Sequence, residues 1–516
     1  MWVGRHNLQS RQLLPLVSRA GHDVYLRMAG LSDARPQRVR PLPFGSDRSR
    51  GSAIITALVL AAVTAVLCAG LLSRAAQEAK LATRSLFQSV SLNLAEAGIE
   101  EGLFALNTTG CTTAGGWTVA SDSTTSFVKT LTGFNLTQAT GEVYVRVDAP
   151  NGSSPVVVAT GVVNIPNQPR MLKQLRAATA RRRPWSNGMV AKNDITFSVA
   201  SSVDSYDSSL GPYNTATNRS DKATIASLST AAGAVEVLGS STIYGYVATG
   251  GSDPLVPLGR IYGTTSPCPQ PPPPPYVDSA RVRRDFAANL PDIAAPTTDP
   301  TLVNCYNLGA YSVGAMATAS LPRTGDLPIR PTEPAGPDNP YRYAMSSLSV
   351  GIIGNLNING PVDLVVSGNT SVTALGSMNV QNTASAALNL YAGGNVTLAG
   401  FSNYRNTTAA SAKATIWGTS TSTQTFALTW GAAFTGTIYA PAATLNLNIA
   451  ADIYGAVVAN TINISGWGQF HWDSQLANTE VSGFGYRLSG WTELTDRPGS
   501  GTVFARDSRP PFAALF

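Results

Sequence analysis

Three carboxylates, two cations and one histidine make up the acid–base inventory of residues 346–476: Asp363, Asp452, Asp473, Arg405, Lys413 and His471. Glycoside hydrolysis needs two carboxyl groups roughly 5–10 Å apart, and polysaccharide lyases need acids beside Arg or Lys. Asp452 and Asp473 are separated by close to one period of the sequence repeat described below, which would make them stacked neighbours. Asp452 stands in a turn context, however, and a capped turn is the simpler reading. His471 is the single histidine beyond residue 51 and sits in "WGQFHWDS". One histidine cannot build a zinc site, and no GxSxG accompanies it for acyl transfer. With Trp467, Phe470 and Trp472 beside it, an aromatic cap on the last repeat is expected; carbohydrate stacking on Trp467 and Trp472 is the functional alternative. Asp204 and Asp207 share the turn "VDSYDSS", where two acids are too few to assert calcium. No phosphate loop or dinucleotide fingerprint is present. The expectation is no catalytic residue, no metal and no cofactor: not an enzyme, with a glycan-active β-helix as the alternative.

The elements that position these residues are bounded by composition. The 516 residues are 43% hydrophobic and 13% charged, which fits an ordered chain of two or three domains. The net charge of +6 is local, since residues 1–51 hold nine Arg and three Asp. The remaining 27 basic and 27 acidic residues cancel, leaving no general attraction for nucleic acid. Cys68, Cys111, Cys268 and Cys305 lack CxxC spacing. If the C-terminal part is exported, Cys268 and Cys305 could close a loop, contributing roughly 3–4 kcal/mol; unpaired thiols are the alternative.

"RSRGSAIITALVLAAVTAVLCAGLLSRAAQEAK" (48–80) runs through 22 uncharged residues, Ser52–Ser73. Some 20 apolar residues span a bilayer as a helix, and the preceding arginines put residues 1–51 in the cytoplasm and the rest outside. The run passes into Ala/Leu/Glu/Gln-rich sequence with Phe87, Val90, Leu94 and Ala97 at helical spacing. One helix is predicted from about Ala53 to Leu106, roughly 80 Å long at 1.5 Å per residue. That exceeds a bilayer, so its second half must pack on something other than lipid. Gly110 and the Thr/Gly cluster after it are the stop signals.

Basic residues, Gly51, a small residue and an apolar helix leading into "LAEAGIEEGL" resemble the N-terminus of type IV pilins, closest to PilX-type minor pilins, over residues 48–107. The resemblance implies cleavage by a prepilin peptidase between Gly51 and Ser52, and packing of the helix with other pilins or pseudopilins in a filament. Most major pilins carry glutamate at the fifth mature position, where this chain has Thr56. That departure implies a minor or tip-proximal subunit. A start at Met28 instead of Met1 would shorten the leader to the stretch from Met28 to Gly51.

Residues 112–185 read as a small β-rich, pilin-like unit: "GEVYVRVDA" and "PVVVATGVVNI" joined by the hairpin signal "PNGSS", with "MLKQLRAATARRRP" as a further strand. Its run Arg181–Arg183 is read as a solvated edge, with anionic lipid or glycan as the functional alternative. From Asn187 the chain turns to Gly, Ala, Ser, Thr, Asn and Val. "GTIYAPAATLNLN" (436–448) and "GAVVANTINIS" (455–465) align at an offset of 19, matching Gly436 to Gly455, Ile438 to Val457, Ala440 to Ala459 and Leu445 to Ile464. "TIYGYVATG" (242–250) echoes "DIYGAVVAN" (452–460). Short β segments repeating at about that offset suit a parallel β-helix, whose coils bury apolar faces only by stacking; a β-sandwich is the alternative. "SPCPQPPPPPY" (266–276) favours polyproline, and "VDSARVRRDFAANL" is a helix candidate after it.

The predicted class is therefore α+β: a leader 1–51, a transmembrane and pilin helix 52–106, the β unit 112–185, solenoid segments 187–250 and 346–476, a Pro-rich insertion 251–345 pinned by Cys268 and Cys305, and a tail 477–516. The expected function is that of a minor pilin-like subunit in the inner membrane or a surface pilus, serving assembly, priming or adhesion. The alternative is a membrane-anchored β-helix that binds or processes surface glycans.

Overall fold

The computed structural model describes residues 50–108, 110–150, 152, 154–263, 272–406, 410–481, 484–496 and 504–516. The leader before Arg50 and residues 264–271, Cys268 among them, lie outside the described residues. The chain divides into two compact units between Thr83 and Arg84.

Helix α1 (Arg50–Asn107) is continuous across 58 residues, close to the predicted span. In the first unit its residues 54–83 are exposed all round, and an 18-residue window of it is apolar enough to cross a membrane, with none of it buried.

In the second unit, residues 84–107 of α1 lie against an antiparallel sheet of β1 (Thr118–Val119), β2 (Ser126–Leu136), β3 (Ala139–Asp148), β4 (Val156–Asn164), β5 (Met171–Arg181) and the C-terminal strand Tyr486–Leu494, in that order. The three strands predicted here form. β2 alternates irregularly, so the sequence pattern does not mark it, and Tyr486–Leu494, within the predicted tail, returns from near the end of the chain to pair with β5. The motif "AEAGIEEGL" explains the closeness of helix and sheet. Added Cβ atoms at Gly98 and Gly102 would fall 2.6 Å from Val143 and 2.5 Å from Val157. From the sheet side, one at Gly161 would fall 2.1 Å from the Ser91 carbonyl oxygen. Ser91 Oγ donates to the Gly161 carbonyl at 2.9 Å. The buried stripe thus runs through Phe87, Ser91, Leu94, Ala95 and Gly98, with Ala97 only half buried. The other sheet face is covered by the C-terminal segment, whose Phe512 and Leu515 pack on Val158 and Val162.

Among the described residues, all remaining strands belong to one parallel sheet, apart from a short antiparallel pair at Ser205–Tyr206. Each strand pairs with one lying about a circuit later. Leu356 pairs with Met378, Leu388 with Ala414, and Ile438 with Val457, so the circuit is not constant: it is longer at Leu388 than at Leu356 and shorter at Ile438. The offset of 19 holds at Gly436/Gly455, Ile438/Val457 and Ala440/Ala459. A register shift before Thr444 then pairs Leu445 with Ile462 and Leu447 with Ile464, which corrects the match of Leu445 to Ile464. Inward residues form one apolar core of Val, Ile, Leu, Ala and Phe.

The chain enters this stack in its middle. Met189–Ala191 pairs on one side with Ile225–Ser227 and on the other with Val457–Ala459. The first run proceeds to Val282–Arg283. Residues 284–304 then run back along the side, with Phe286 donating to Thr249, Pro291 accepting from Tyr439, and Thr297 accepting from Arg342. The second run starts at Cys305–Val313 and ends at Gln469–Asp473 against Ser202–Tyr206. Residues 251–345, expected as an insertion, therefore include strands of the sheet itself, at Arg260–Tyr262, Tyr276–Val277, Cys305–Val313 and Thr318–Leu321 among others. The helix candidate at 277–290 holds a 3-10 turn and a two-residue strand. Val282 and Arg283 pair instead with Val247 and Ala248 of the sheet, which holds the backbone extended there.

Candidate functional site

The seam between the two runs gathers most of the polar residues with chemical potential. Parallel pairing sets Tyr454 beside His471 and His471 beside Asp204. His471 is buried, and its Nδ1 shares a hydrogen bond of 2.5 Å with Asp204 Oδ1. The imidazole is held between two rings, Tyr213 at 3.9 Å and Tyr454 at 4.8 Å. Asp204 Oδ2 also accepts from Tyr213 and from Arg219 Nε, both at 2.7 Å. The excursion 207–222 thus lies over the histidine and is clasped to it. Burial pushes the Tyr454 phenol up to about 12.

A second polar chain runs beside the first. Ser411 Oγ donates to Asp473 Oδ2 at 2.8 Å and lies 3.1 Å from the Tyr206 hydroxyl. Asp473 Oδ1 accepts from the backbone of Ser208 and Gln475. Ser411 is therefore committed to Asp473, while His471 is committed to Asp204. A nucleophilic triad needs the serine on the histidine, and this arrangement joins each to a separate carboxylate.

Asp452 pairs in register with Gln469 and Asp473 with Tyr206. Asp452 and Asp473 are therefore not stacked neighbours, because the circuit shortens here and brings Gln469 into the position beside Asp452. Burial raises the Asp452 carboxyl above its ordinary range, partly offset by His471 and Tyr454. Asp363, in a different part of the stack, is buried against Arg342 at 2.9 Å. Asp207 caps the turn at Ser209 and accepts from Gln475. Among the described residues no group of three His, Cys, Asp or Glu is placed to hold a metal ion.

The two tryptophans do not share a platform. Trp472 is 6% exposed and packs over Gly188, while Trp467 is 62% exposed at a corner of the sheet. Cys305 is half buried beside Arg342, and burial pushes its thiol up. Gly51 and Ser52 lie in the first turn of α1, and Thr56 is on its exposed stretch. The buried carboxylate–histidine pair has no local signature in the sequence, because Asp204 and His471 lie near the two ends of the sequence that forms the stack and meet only through strand pairing.

Residues 343–479 match the model of a family described as a domain of unknown function, DUF7305. No curated protein matches the chain. Among solved structures, the chain is similar to the competence-associated pilin ComZ from Thermus thermophilus, at 10% identity and a TM-score of 0.25, over 72% of this chain and 88% of that one. It is also similar to an ice binding protein from an Antarctic bacterium, Flavobacteriaceae, at 11% identity and a TM-score of 0.18, over 55% and 79%. Likenesses this distant carry no functional argument.

Proposed function

We propose that this chain is a minor pilin-like subunit: cut by a prepilin peptidase between Gly51 and Ser52, held in the inner membrane and then in a filament through α1, with its C-terminal part outside the cytoplasm. The observation that carries the reading is the division of labour along one helix. Residues 54–72 are apolar and exposed, so they need lipid or other helices around them. Residues 87–105 are spent on the antiparallel sheet. The motif that suggests the PilX-type resemblance, "AEAGIEEGL", is the part of the helix whose glycines admit that sheet. Thr56 supports a minor rather than a shaft position.

The parallel stack is read as a β-solenoid displayed by this subunit, with pilus assembly, priming or adhesion as its task and no catalysis. His471 supports that: it is covered by Tyr213 and bonded to Asp204, which suits a rigid seam rather than proton transfer to a substrate. The second reading, a membrane-anchored glycan binder, is favoured by the exposed ring of Trp467.

N-terminal mass analysis after expression with and without a prepilin peptidase tests the first reading. The expected product begins at Ser52 only when the peptidase is present. A chain left uncut in both cultures would refute processing and leave a plain anchor.

A further inference from the structure

One corner of the parallel stack carries a feature that neither the helix nor the seam uses. The corner turns contain residues in the left-handed backbone region, mostly in adjacent pairs: Ala374/Leu375, Gly400/Phe401, Trp430/Gly431, Ile449/Ala450, Gly466/Trp467 and Val199/Ala200. Backbone bonds stack them coil on coil, from Leu375 to Gly400, Phe401 to Trp430, Gly431 to Ile449 and Trp467 to Val199. Met316 and Ile353 continue the column at one end.

This backbone region is unfavourable for side chains with a Cβ and is ordinarily taken by Gly or Asn. Here each pair has one small member and one bulky apolar member, and the bulky ones are 41% to 63% exposed. The alternation is complementary: the Phe401 ring lies where a Cβ on Gly431 would be, 2.6 Å away. Neither burial nor backbone preference accounts for placing Phe, Trp, Leu and Ile there. At 150–250 Å² for a large side chain, the ridge exposes about 1,000 Å², against roughly 300–600 Å² for the largest apolar patch of an ordinary monomer.

The surroundings indicate what covers it. The turn sequences "GIIG", "TALG", "AGFS", "TWGA", "NIAA" and "SGWG" hold no charged residue. One flank is a column of Ser349, Ser371, Thr397, Ala427 and Asn446 in register, and the other of Thr318, Asn355, Ser377, Asn403 and Ala433, so each is polar but for one alanine. Asp452, further along the second column, is pushed by burial towards its neutral form. Coils repeat at about 4.8 Å, comparable with the repeat of an extended chain of pyranose rings. We infer that this ridge binds a neutral, linear β-linked polysaccharide, whose C–H faces stack on Phe401, Trp430 and Trp467 while its hydroxyls meet the flanking Ser, Thr and Asn columns. An acidic polymer would find no cation among the turn residues. The ridge belongs to the folded stack, so the inference extends the surface-binding role but holds for an uncut chain as well.

The test is retention of the full-length protein in detergent on microcrystalline cellulose and on chitin particles, compared with a Phe401→Asn/Trp430→Asn/Trp467→Asn variant. Asn accepts the left-handed backbone, so the variant should melt no lower than the parent while its retained fraction falls at least tenfold. Added salt should leave the parent's retention unchanged. Failure of the parent to bind either polymer, equal retention of the variant, or loss of retention in salt would overturn the inference. So would a concentration-dependent dimer that the variant abolishes, which would make the ridge a contact between copies.

Discussion

Gly161→Ala tests whether the helix and sheet of the second unit are fitted to one another as closely as the structure indicates. The new Cβ would lie 2.1 Å from the Ser91 carbonyl oxygen and 2.7 Å from the Ala95 nitrogen. Both are backbone atoms of α1, which no rotamer change can move. Ordinary van der Waals contact begins at 3.4 Å, so the helix must lift from β4 by more than the width that side-chain adjustment can absorb. That shift would stretch the hydrogen bond from Ser91 Oγ to the Gly161 carbonyl and open gaps where Gly98 meets Val143 and Ala159. Overpacking costs about 1–3 kcal/mol and the weakened hydrogen bond about 1 kcal/mol, so a loss of about 3 kcal/mol is expected. Urea unfolding followed by circular dichroism would measure it, with Gly314→Ala as the control because nothing lies within 4 Å of its added Cβ. If Gly161→Ala unfolds within roughly 0.5 kcal/mol of that control, the scatter of ordinary surface substitutions, the close fit is wrong.

The C-terminal cover should come away in acid. Burial opposes ionisation of Asp148, but hydrogen bonds from Ser126, Arg146 and Arg509 outweigh it and hold the carboxyl below its usual range. That stability is present above the unfolded value near 3.9 and is lost as pH falls through the lower folded value. Proteolysis of residues 504–516 should therefore rise only below about pH 4, and a rise beginning near neutrality would contradict the assignment. Asp204→Asn removes the charge that clasps Arg219 and faces His471; limited proteolysis within 207–222 should increase, and unchanged cleavage would show that the excursion is held by the tyrosine stacking alone. A protease site placed at the exposed turn Asp299–Thr301 should cut the connecting segment 284–304 without separating the two runs of the stack. Val457, Ile462, Ile464 and Phe470 pack against Met189, Ile195, Phe197 and Val203. At about 1.5–3 kcal/mol per buried side chain, that seam should keep both fragments in one gel-filtration peak, and two native peaks would refute it.

Much of this was legible in the residues because it depends on local pattern. The helix follows from composition and spacing, and its observed ends, Arg50 and Asn107, lie close to the expected Ala53 and Leu106. The coil repeat shows itself where the chain repeats in part: the echo of "TIYGYVATG" in "DIYGAVVAN" is geometrically real. Val247, Ile225, Met189 and Val457 form one continuous column, and Ile243 and Ile453 share another through Val203 and Phe470. What the sequence conceals is non-local. Parallel pairing joins His471 to Asp204 from the two ends of the stacked sequence, and no periodicity encodes which distant coil docks on which. The register shift after Ala440 displaces the Leu445 match, and its one mark in the sequence is Pro441, which has no N–H to give to the ladder. The left-handed ridge does leave a signal, a bulky apolar residue beside Gly or Ala once per circuit, but as isolated hydrophobics these residues look like ordinary core.

The order of pairing carries a further consequence for how the two folded parts of the second unit are joined. β5 leads into the stack at Met189, and the stack returns through Asp473 to the strand Tyr486–Leu494, which pairs with β5 itself. The stack is thus inserted between two neighbouring strands of the antiparallel sheet. Arg182 donates to the Gly485 carbonyl across the junction, and Phe484 packs edge-on against Tyr439 at 4.5 Å. Both connections leave from adjoining coils at the middle of the stack, so neither end coil is tied to the sheet. Coils could be added or lost at the ends while the helix–sheet fit around Gly161 stays untouched. A chain built this way can vary the number of its stacked strands independently of the part that packs against α1.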